Sequence, residues 1–584
     1  MNNSKSTYCL IVILLGVLYS TDSVFSQIPY DEVYRGEAIR NQEYITLFTD
    51  RNMYVVNERI YFRSFYWKDR VSAKELWSKV LYVELVTASG KMITNGKFYQ
   101  DKNGSSGFLT IPADALTGNY YLRSYTRWMR NFGPRSYCYI PLTIINPYKQ
   151  DVLTPNNQSP DVEANLLRMI FPGVQCMTDK ESYAPGEEVQ IEISRTGSDY
   201  LLPDDYCLTV VPAGLCDTLN AHINNNDTDR GKDFSFKYLP DIGGVSISGS
   251  VINAKDQSPA PKARLLVSTL EDQFDCLCTL SDELGRFKLT LPDRTGIQEL
   301  FVACEPLTGT TREIRIDQDF ATDPVPFRTK QFSLSTDDKK VAIRMVNNMR
   351  LSKAFKLEVV SPVSETETDS IVPFYGIPET TVNLEEFVDL PNMEEVFINL
   401  VPNVYVSYRR GEPSLTIYSL FKSISLFPPL FLVDQIPVFE QKEIFSIDPS
   451  KVERIEVVNE VYVKGGLMHG GIIIISSKQK DMAAVDLPEE SYFFDYQAFH
   501  PGNSKALSSG SQPSPSSTDI STERIPDTRN TQLWVDKISL DSEEKKTLQF
   551  QASTSLGTYH ILIRSVTSLG DIVCGVSTFK VEQK

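Results

Sequence analysis

The chain has 584 residues with 75 acidic against 58 basic side chains, and its formal net charge of −17 argues against nucleic acid or anionic membrane surfaces as partners. Single hydrophobic cores stop growing near ~250–300 residues, so several domains are expected.

In chain order, Lys5 is the one charge before an apolar run from Tyr8 to Tyr19, and Ser26 follows at a small-residue exit. That pattern predicts a secretory signal peptide over 1–26, cleaved between Ser26 and Gln27. Cys9 lies ahead of most of the apolar run, the wrong place for a lipid-bearing cysteine. No other stretch approaches ~18 consecutive apolar residues, so the mature protein is expected to be exported without membrane-spanning helices. Eight cysteines follow the signal, at 138, 176, 207, 216, 276, 278, 304 and 574, without the paired spacing of a structural zinc site. Cys276 and Cys278 sit two apart in a predicted strand and so share a face; both buried thiols and a disulfide remain open.

Residues 43–147 predict a β-sandwich. Tyr44–Phe48, Ile60–Trp67, Leu81–Val86, Phe108–Ile111 and Tyr120–Tyr125 have strand character, and turn signals such as Ala88-Ser89-Gly90 and Lys102-Asn103-Gly104 separate them. The opening Thr49-Asp50-Arg51-Asn52-Met53-Tyr54 and the later Leu116-Thr117-Gly118-Asn119-Tyr120 resemble the macroglobulin-like domains of the alpha-2-macroglobulin family. The opening recurs at Thr178-Asp179-Lys180-Glu181-Ser182-Tyr183-Ala184-Pro185-Gly186-Glu187, an offset of 129. A repeat at domain length predicts a duplicated sandwich over 168–240, shortened by the polar loop Asn224–Asp233. Asp227, Asp229 and Asp233 in that loop lack the regular spacing of a calcium site, so a solvated loop is expected.

Residues 245–318 predict a third β unit. Gly249-Ser250-Val251, Pro259–Ala263 and Ser281-Asp282-Glu283-Leu284-Gly285-Arg286-Phe287 resemble the carboxypeptidase regulatory-like domain, an appended sandwich that implies no peptidase. A connector over 319–372 holds a possible strand at Phe332–Leu334 and helical character from Lys340 to Leu351.

Residues 373–480 predict a small α/β domain. Met393, Val396, Phe397, Leu400 and Val401 fall at helical spacing behind Pro391, with Glu394 and Glu395 in the first turn. Asn403–Val406 begins a strand and Arg409-Arg410-Gly411 a turn. Leu430–Val433 ends in Asp434, a strand runs from Arg454 to Val458, and the pairs Gly465-Gly466 and Gly470-Gly471 bracket a bend into Ile472–Ile475. The continuous apolar runs are those of strands covered on both faces. In this order the motifs resemble the plug domain of TonB-dependent outer-membrane receptors. The plug of that family sits in a barrel of roughly 22 strands, each needing about 9–11 residues. The 106 residues from Gln479 onward cannot supply one, so a plug-like domain without its own pore is expected. Residues 499–530, rich in Pro and Ser, predict a flexible linker. Residues 531–584 return to strands from Leu533-Trp534, and Leu556-Gly557-Thr558-Tyr559 repeats the glycine-tyrosine corner of the first sandwich. This C-terminal segment is macroglobulin-like and short; pairing with strands of the second unit is left open.

The fold class is thus mainly β: tandem immunoglobulin-like or macroglobulin-like β-sandwiches with a small α/β plug-like domain and no membrane barrel. His222, His469, His500 and His560 fall in unrelated segments, and no nucleophile elbow, phosphate loop or His-x-x-Glu pair occurs. Cys574-Gly575-Val576 does not supply the thioester run Cys-Gly-Glu-Gln of alpha-2-macroglobulin relatives. No catalytic, cofactor-binding or metal-binding residue is therefore expected, no cofactor, and no enzyme activity. The resemblances imply an exported envelope protein of the kind found in Bacteroidetes-like bacteria. It would dock on outer-membrane proteins, a β-barrel among the candidates, from the periplasmic or cell-surface side. An accessory role in TonB-dependent uptake with a separate barrel is an alternative, although Glu365–Val372 offers no TonB-contacting match. A macroglobulin-like protease inhibitor or adhesin is a third.

Overall fold

The computed structural model describes residues 42–68, 77–153, 170–171, 173–196, 202–216, 237–270, 274–307, 309–329, 331–355, 373–409, 411–419, 424, 426–464, 467–502, 527–540 and 545–583. The signal peptide expected over 1–26, His222 and the loop with Asp227, Asp229 and Asp233 lie outside them. The fold is mainly β, with several sheets. Two compact units emerge, one from Ser246–Gln318 and Thr366–Ala498, the other from Glu32–Val245, Asp319–Glu365 and Phe499–Lys584. Among the described residues no helix is long and apolar enough to cross a membrane.

The larger unit opens with β1 (Glu43–Thr49), β2 (Met53–Val55), β3 (Arg59–Lys68), β4 (Val80–Val86), β5 (Met92–Tyr99), β6 (Ser105–Thr110), β7 (Gly118–Tyr125) and β8 (Cys138–Ile145). They make a sheet β1-β3-β6 and a sheet β2-β8-β7-β4-β5. Next come β9 (Ile170–Phe171), β10 (Val174–Thr178), β11 (Ser182–Tyr183), β12 (Glu188–Arg195) and β13 (Asp205–Pro212).

The sequence then passes through the other unit. Its strands β14 (Ser246–Asn253), β15 (Arg264–Thr269), β16 (Asp275–Leu280), β17 (Arg286–Thr290), β18 (Ile297–Cys304) and β19 (Arg312–Ile316) form a sheet β17-β14-β19 and three strands of a second sheet. Helix α1 (Thr336–Ala354) belongs to the larger unit. Where a strand is expected at Phe332–Leu334 none forms, because the residues lead into the cap of α1. The Ser335 hydroxyl accepts from Asp338 N at 3.1 Å while Ser335 N donates to the Asp338 carboxylate at 3.0 Å, a capping box that starts the helix.

After β20 (Thr380–Asn383) come α2 (Met393–Asn399), β21 (Val404–Arg409), β22 (Glu412–Ile417), β23 (Leu430–Val433), β24 (Ile436–Val438), α3 (Gln441–Ser446), β25 (Val452–Val458), β26 (Tyr462–Lys464), β27 (Leu467–His469) and β28 (Ile472–Ser477). A mixed sheet β20-β25-β28-β23-β24 results, parallel between β23 and β28 and antiparallel elsewhere. Phe431, Val433, Ile473 and Ile475 face α2, α3 and the β21–β22 hairpin, while Leu430, Leu432, Ile472 and Ile474 pack with Leu266, Cys276 and Cys278 of β15 and β16. Both faces are covered, which is why the two runs carry no polar alternation. Strand β29 (Ser491–Gln497) then pairs with β18, completing the sheet β16-β15-β18-β29.

Back in the larger unit, β30 (Leu533–Ser539), β31 (Lys546–Gln551), β32 (Gly557–Val566) and β33 (Ile572–Val581) join the strands left open at β13. The sheets β10-β12-β31 and β11-β33-β32-β13-β30 reproduce the strand order of the first sandwich. The C-terminal segment is the second half of the second sandwich, whose sequence is interrupted between its fourth and fifth strands.

The repeat at offset 129 is a repeat of hydrogen bonds. Tyr54 Oη donates to Asp50 Oδ1 at 2.6 Å, and Tyr183 Oη to Asp179 Oδ1 at 2.6 Å. The same carboxylate oxygens accept from Tyr61 N at 3.2 Å and Gln190 N at 3.0 Å. Glu58 accepts from Val55 N, and Glu187 from Ala184 N, at 2.6 and 2.7 Å. The turn needs a left-handed residue, supplied by Asn57 (φ 70°) and Gly186 (φ 76°). The tyrosine corners match too: Tyr120 Oη donates to Leu116 O and Tyr559 Oη to Ser555 O, at 2.8 and 2.9 Å.

The copies differ in what covers them. The outer face of β1 and β3 carries Tyr44, Phe48, Phe65 and Trp67, buried against Cys207, Val566 and Ile572 of the second sandwich. At the same offset that sandwich places Met177, Ser194 and Thr196 opposite Phe48, Phe65 and Trp67, and Met177 is 53% exposed. Asp50 is fully buried, whereas the Asp179 carboxylate is 37% exposed. Tyr54→Phe should therefore cost about 2 kcal/mol, the range for a hydrogen bond to a charged group, and Tyr183→Phe about half as much. Urea midpoints of the two variants check the order.

The other face of the first sandwich holds the connecting segments. Arg127 lies 3.8 Å from Asp241 and 3.5 Å from Asp319, and Lys97 Nζ is 2.6 Å from Asp319. Tyr82 Oη donates to Asp241 at 2.8 Å. Arg123 pairs with Glu84 at 2.9 Å, both fully buried. Phe327 packs its ring on Tyr121 and Tyr139. The stretch expected to be a flexible linker is held at both ends: Phe499 and His500 pack on β5 and β6, and Asn530 donates to Glu58 at 2.7 Å. Two aromatic residues at its start supply the packing that Pro/Ser composition hides. Residues 503–526 lie outside the described set.

Candidate functional site

Among the described residues, no set of three His, Cys, Asp or Glu side chains can hold a metal ion. Of the histidines singled out in the sequence, His560 lies in β32, His500 packs on the first sandwich, and His469 ends β27 beside Gly470-Gly471. The structure brings His469 to Cys276 and Cys278, a meeting that sequence spacing does not disclose. The thiols are not bridged; Cys276 is hydrogen-bonded to Cys278, which also bonds His469. The hydrogen bond from Cys276, with help from His469 and Lys464, pushes the Cys278 thiol down, while Cys276 is held well up. Lys464 Nζ is in turn 2.6 Å from Asp275. All three of Cys276, Cys278 and His469 are buried, in the core between the β15–β16 sheet and the mixed sheet. The arrangement lies inside a core, with His469 Nε2 and the Tyr462 hydroxyl buried and without a hydrogen-bond partner, and it offers no open face to a substrate.

An open face does exist on the β21–β22 hairpin. Alternation places Val404, Leu415 and Ile417 inward, where they pack with Met393, Val396 and Phe397 of α2. It places Tyr405, Ser407, Ser414, Thr416 and Tyr418 outward, with Tyr405 opposite Thr416 and Ser407 opposite Ser414 in the register. The rings of Tyr405 and Tyr418 meet at 6.0 Å and 75°, and both are more than half exposed. At the hairpin's end Tyr408, 62% exposed, hydrogen-bonds Glu394 of α2. Nearby in sequence, Glu385-Glu386-Phe387-Val388-Asp389 is exposed throughout, with Val388 80% accessible. Residues 373–408 include six acidic side chains and no Lys or Arg. Tyr with Ser and Thr is a composition suited to protein contact: rigid, amphipathic area with few torsions to freeze, next to adaptable hydroxyls. The sequence signalled this hairpin only as a strand and a turn. The outward tyrosines could have been read from the alternation of Val404 and Val406 with Tyr405, had the second strand been placed.

No family model matches the chain, and no curated protein sequence matches it. Among solved structures it is similar to Salmonella alpha-2-macroglobulin reacted with methylamine, with 8% identity, 93% of this chain and 39% of that chain covered, and a TM-score of 0.23. Escherichia coli alpha-2-macroglobulin activated by porcine elastase gives 9% identity, 93% and 44% coverage and a TM-score of 0.23. The Yersinia pseudotuberculosis adhesin InvE gives 12% identity, 47% and 58% coverage and a TM-score of 0.12. The chain spans about two fifths of the length of these macroglobulins.

Proposed function

We propose that the protein is a non-enzymatic, exported binding or scaffolding component of the cell envelope that docks on an outer-membrane protein assembly. The observation that carries the proposal is the uncovered Tyr405/Tyr418 face of the β21–β22 hairpin, a rigid ledge backed by α2 and by the apolar core beneath it. Two features support it further: the mixed sheet flanked by helices, whose motifs resemble a receptor plug, and the macroglobulin-like sandwiches that would hold that domain as spacers. The hairpin follows the acidic stretch 379–395 and carries Arg409 and Arg410 in its own sequence, so a partner rim carrying both signs of charge would steer encounter and make it salt-dependent.

The test is retention of outer-membrane proteins from detergent-solubilised envelopes by the full chain and by Tyr405→Ser/Tyr418→Ser. The wild type is expected to retain a defined outer-membrane protein, and the double variant to retain at least about tenfold less, since truncated aromatic anchors each cost ~2 kcal/mol or more. Both side chains are exposed, so the circular dichroism spectrum should not change. Equal retention by the two proteins would remove this face as the docking site.

A further inference from the structure

Residues 499–502 are fastened to the first sandwich by a geometry that a single proton would undo. His500 N donates to Lys97 O at 2.7 Å, and Phe499 bridges β5 at Lys97. The imidazole lies against the rings of Phe98 and Phe108, with centroids 5.1 and 5.7 Å away. Gly502 N donates to His500 Nδ1 at 2.9 Å, so Nδ1 carries the lone pair and the neutral ring holds its proton on Nε2. Protonation would set an N–H against the Gly502 N–H and place a cation in an aromatic setting. The charged groups on the elements packed around the ring offer no compensation. Arg59 of β3 is a cation stacked on Phe108, 4.3 Å from its centroid. Lys97 of β5 is a second cation, already engaged by Asp319. Strand β6, Ser-Ser-Gly-Phe-Leu-Thr, has no charge at all.

We propose that His500 is an acid-released latch: one proton on its ring breaks the hold of residues 499–502 on the first sandwich, where the chain re-enters the larger unit. Burial first, and Arg59 second, push the ring's pKa down from 6.5 to about 4, in keeping with this geometry. The sign follows from linkage. A folded value below the unfolded one means that the latched state binds fewer protons, so the latch is at full strength above about pH 6.5 and weakens as pH falls toward about 4.

The test follows exchange protection of the Gly502 amide in the full chain from pH 7.5 to 4.5, corrected for intrinsic exchange. Protection is expected to fall about thirtyfold between pH 7.5 and pH 5 in the wild type, the ratio that the two pKa values set. In His500→Asn, whose Oδ1 takes the place of Nδ1 and can still accept from Gly502 N but cannot gain a proton, protection should stay level. A level wild-type profile, or the same fall in the variant, overturns the proposal. Should the Asn variant not fold, carbon-13 labelling of the four histidines decides it in the wild type. A histidine resonance that titrates near pH 4 together with the loss of Gly502 protection upholds the latch; four resonances that all titrate near 6.5 overturn it.

Discussion

Arg123→Met should destabilise the larger unit by ~3–5 kcal/mol, the cost of leaving a buried charge without its partner. Arg123 Nε donates to Glu84 at 2.9 Å, Nη1 to Asp323 O at 2.7 Å and Nη2 to Ala321 O at 2.6 Å. One guanidinium thus neutralises a carboxylate that burial pushes up and caps two carbonyls of the connecting segment. Tyr125 Oη, which donates to Glu84 and accepts from Ala321 N, each at 2.7 Å, cannot replace it, because it brings no charge. The variant's Glu84 should bind a proton in the folded state, so its deficit should shrink as pH falls toward the range where unfolded glutamates titrate, about 4. Arg123→Met/Glu84→Gln should recover part of the loss at pH 7, since removing both charges is far less costly than removing one. The readout is convenient: all four tryptophans, Trp67, Trp77, Trp128 and Trp534, lie in the larger unit, so urea unfolding followed by indole fluorescence reports on it. A loss under ~1 kcal/mol would mean that residues 321–323 are held by their aromatic neighbours instead.

The parts of this fold that sequence discloses are those where neighbours in the chain are neighbours in space. The Asp50–Glu58 and Asp179–Glu187 turns are closed by bonds spanning at most eleven residues, so both copies were legible, down to Asn57 standing where Gly186 stands. The runs at Leu430 and Ile472 disclosed a strand covered twice. What was hidden depends on pairing across distance. Strand β13 meets β30 and β32 across more than 300 residues, and only the Tyr559 corner hinted that the last segment completed an earlier sandwich. The pairing of Lys97 with Asp319, 222 positions apart, had no signal at all. The difference between the sandwiches was visible in retrospect: β1 is apolar on both faces because both are covered, while β10 and β12 alternate because one face is open. Of the candidate surface, the sequence showed the helix behind the hairpin but not the tyrosines in front, because outward direction needs the β22 register.

The mixed sheet of the other unit should fail when Gly470 gains a methyl group. A Cβ there would stand 2.2 Å from Phe427 O and 2.3 Å from Ile424 O, both backbone atoms that cannot turn aside. Gly470 N also donates to Pro428 O at 2.9 Å, and Leu430 N to Gly471 O at 3.0 Å, so the corner is stitched to the start of β23 from both sides. Relief must come from pushing Ile424 and Phe427 away, which pulls Leu430 and Phe431 from the two cores that they join. We expect Gly470→Ala to cost about 3 kcal/mol, at the upper end for overpacking because the obstruction is main chain. The loss should appear as faster amide exchange across β23 and β28 and a lower midpoint by far-UV circular dichroism. The indole-monitored transition of the larger unit should keep its midpoint if the two units unfold separately, and should move with the dichroism signal if they unfold as one. Tyr405→Ser, on the open face of the same unit, is the control and should move neither. Unchanged exchange in β23 and β28 of the Gly470 variant would show that the corner yields without disturbing the sheet, and the tyrosine ledge would then rest on a less rigid base than the proposed docking role requires.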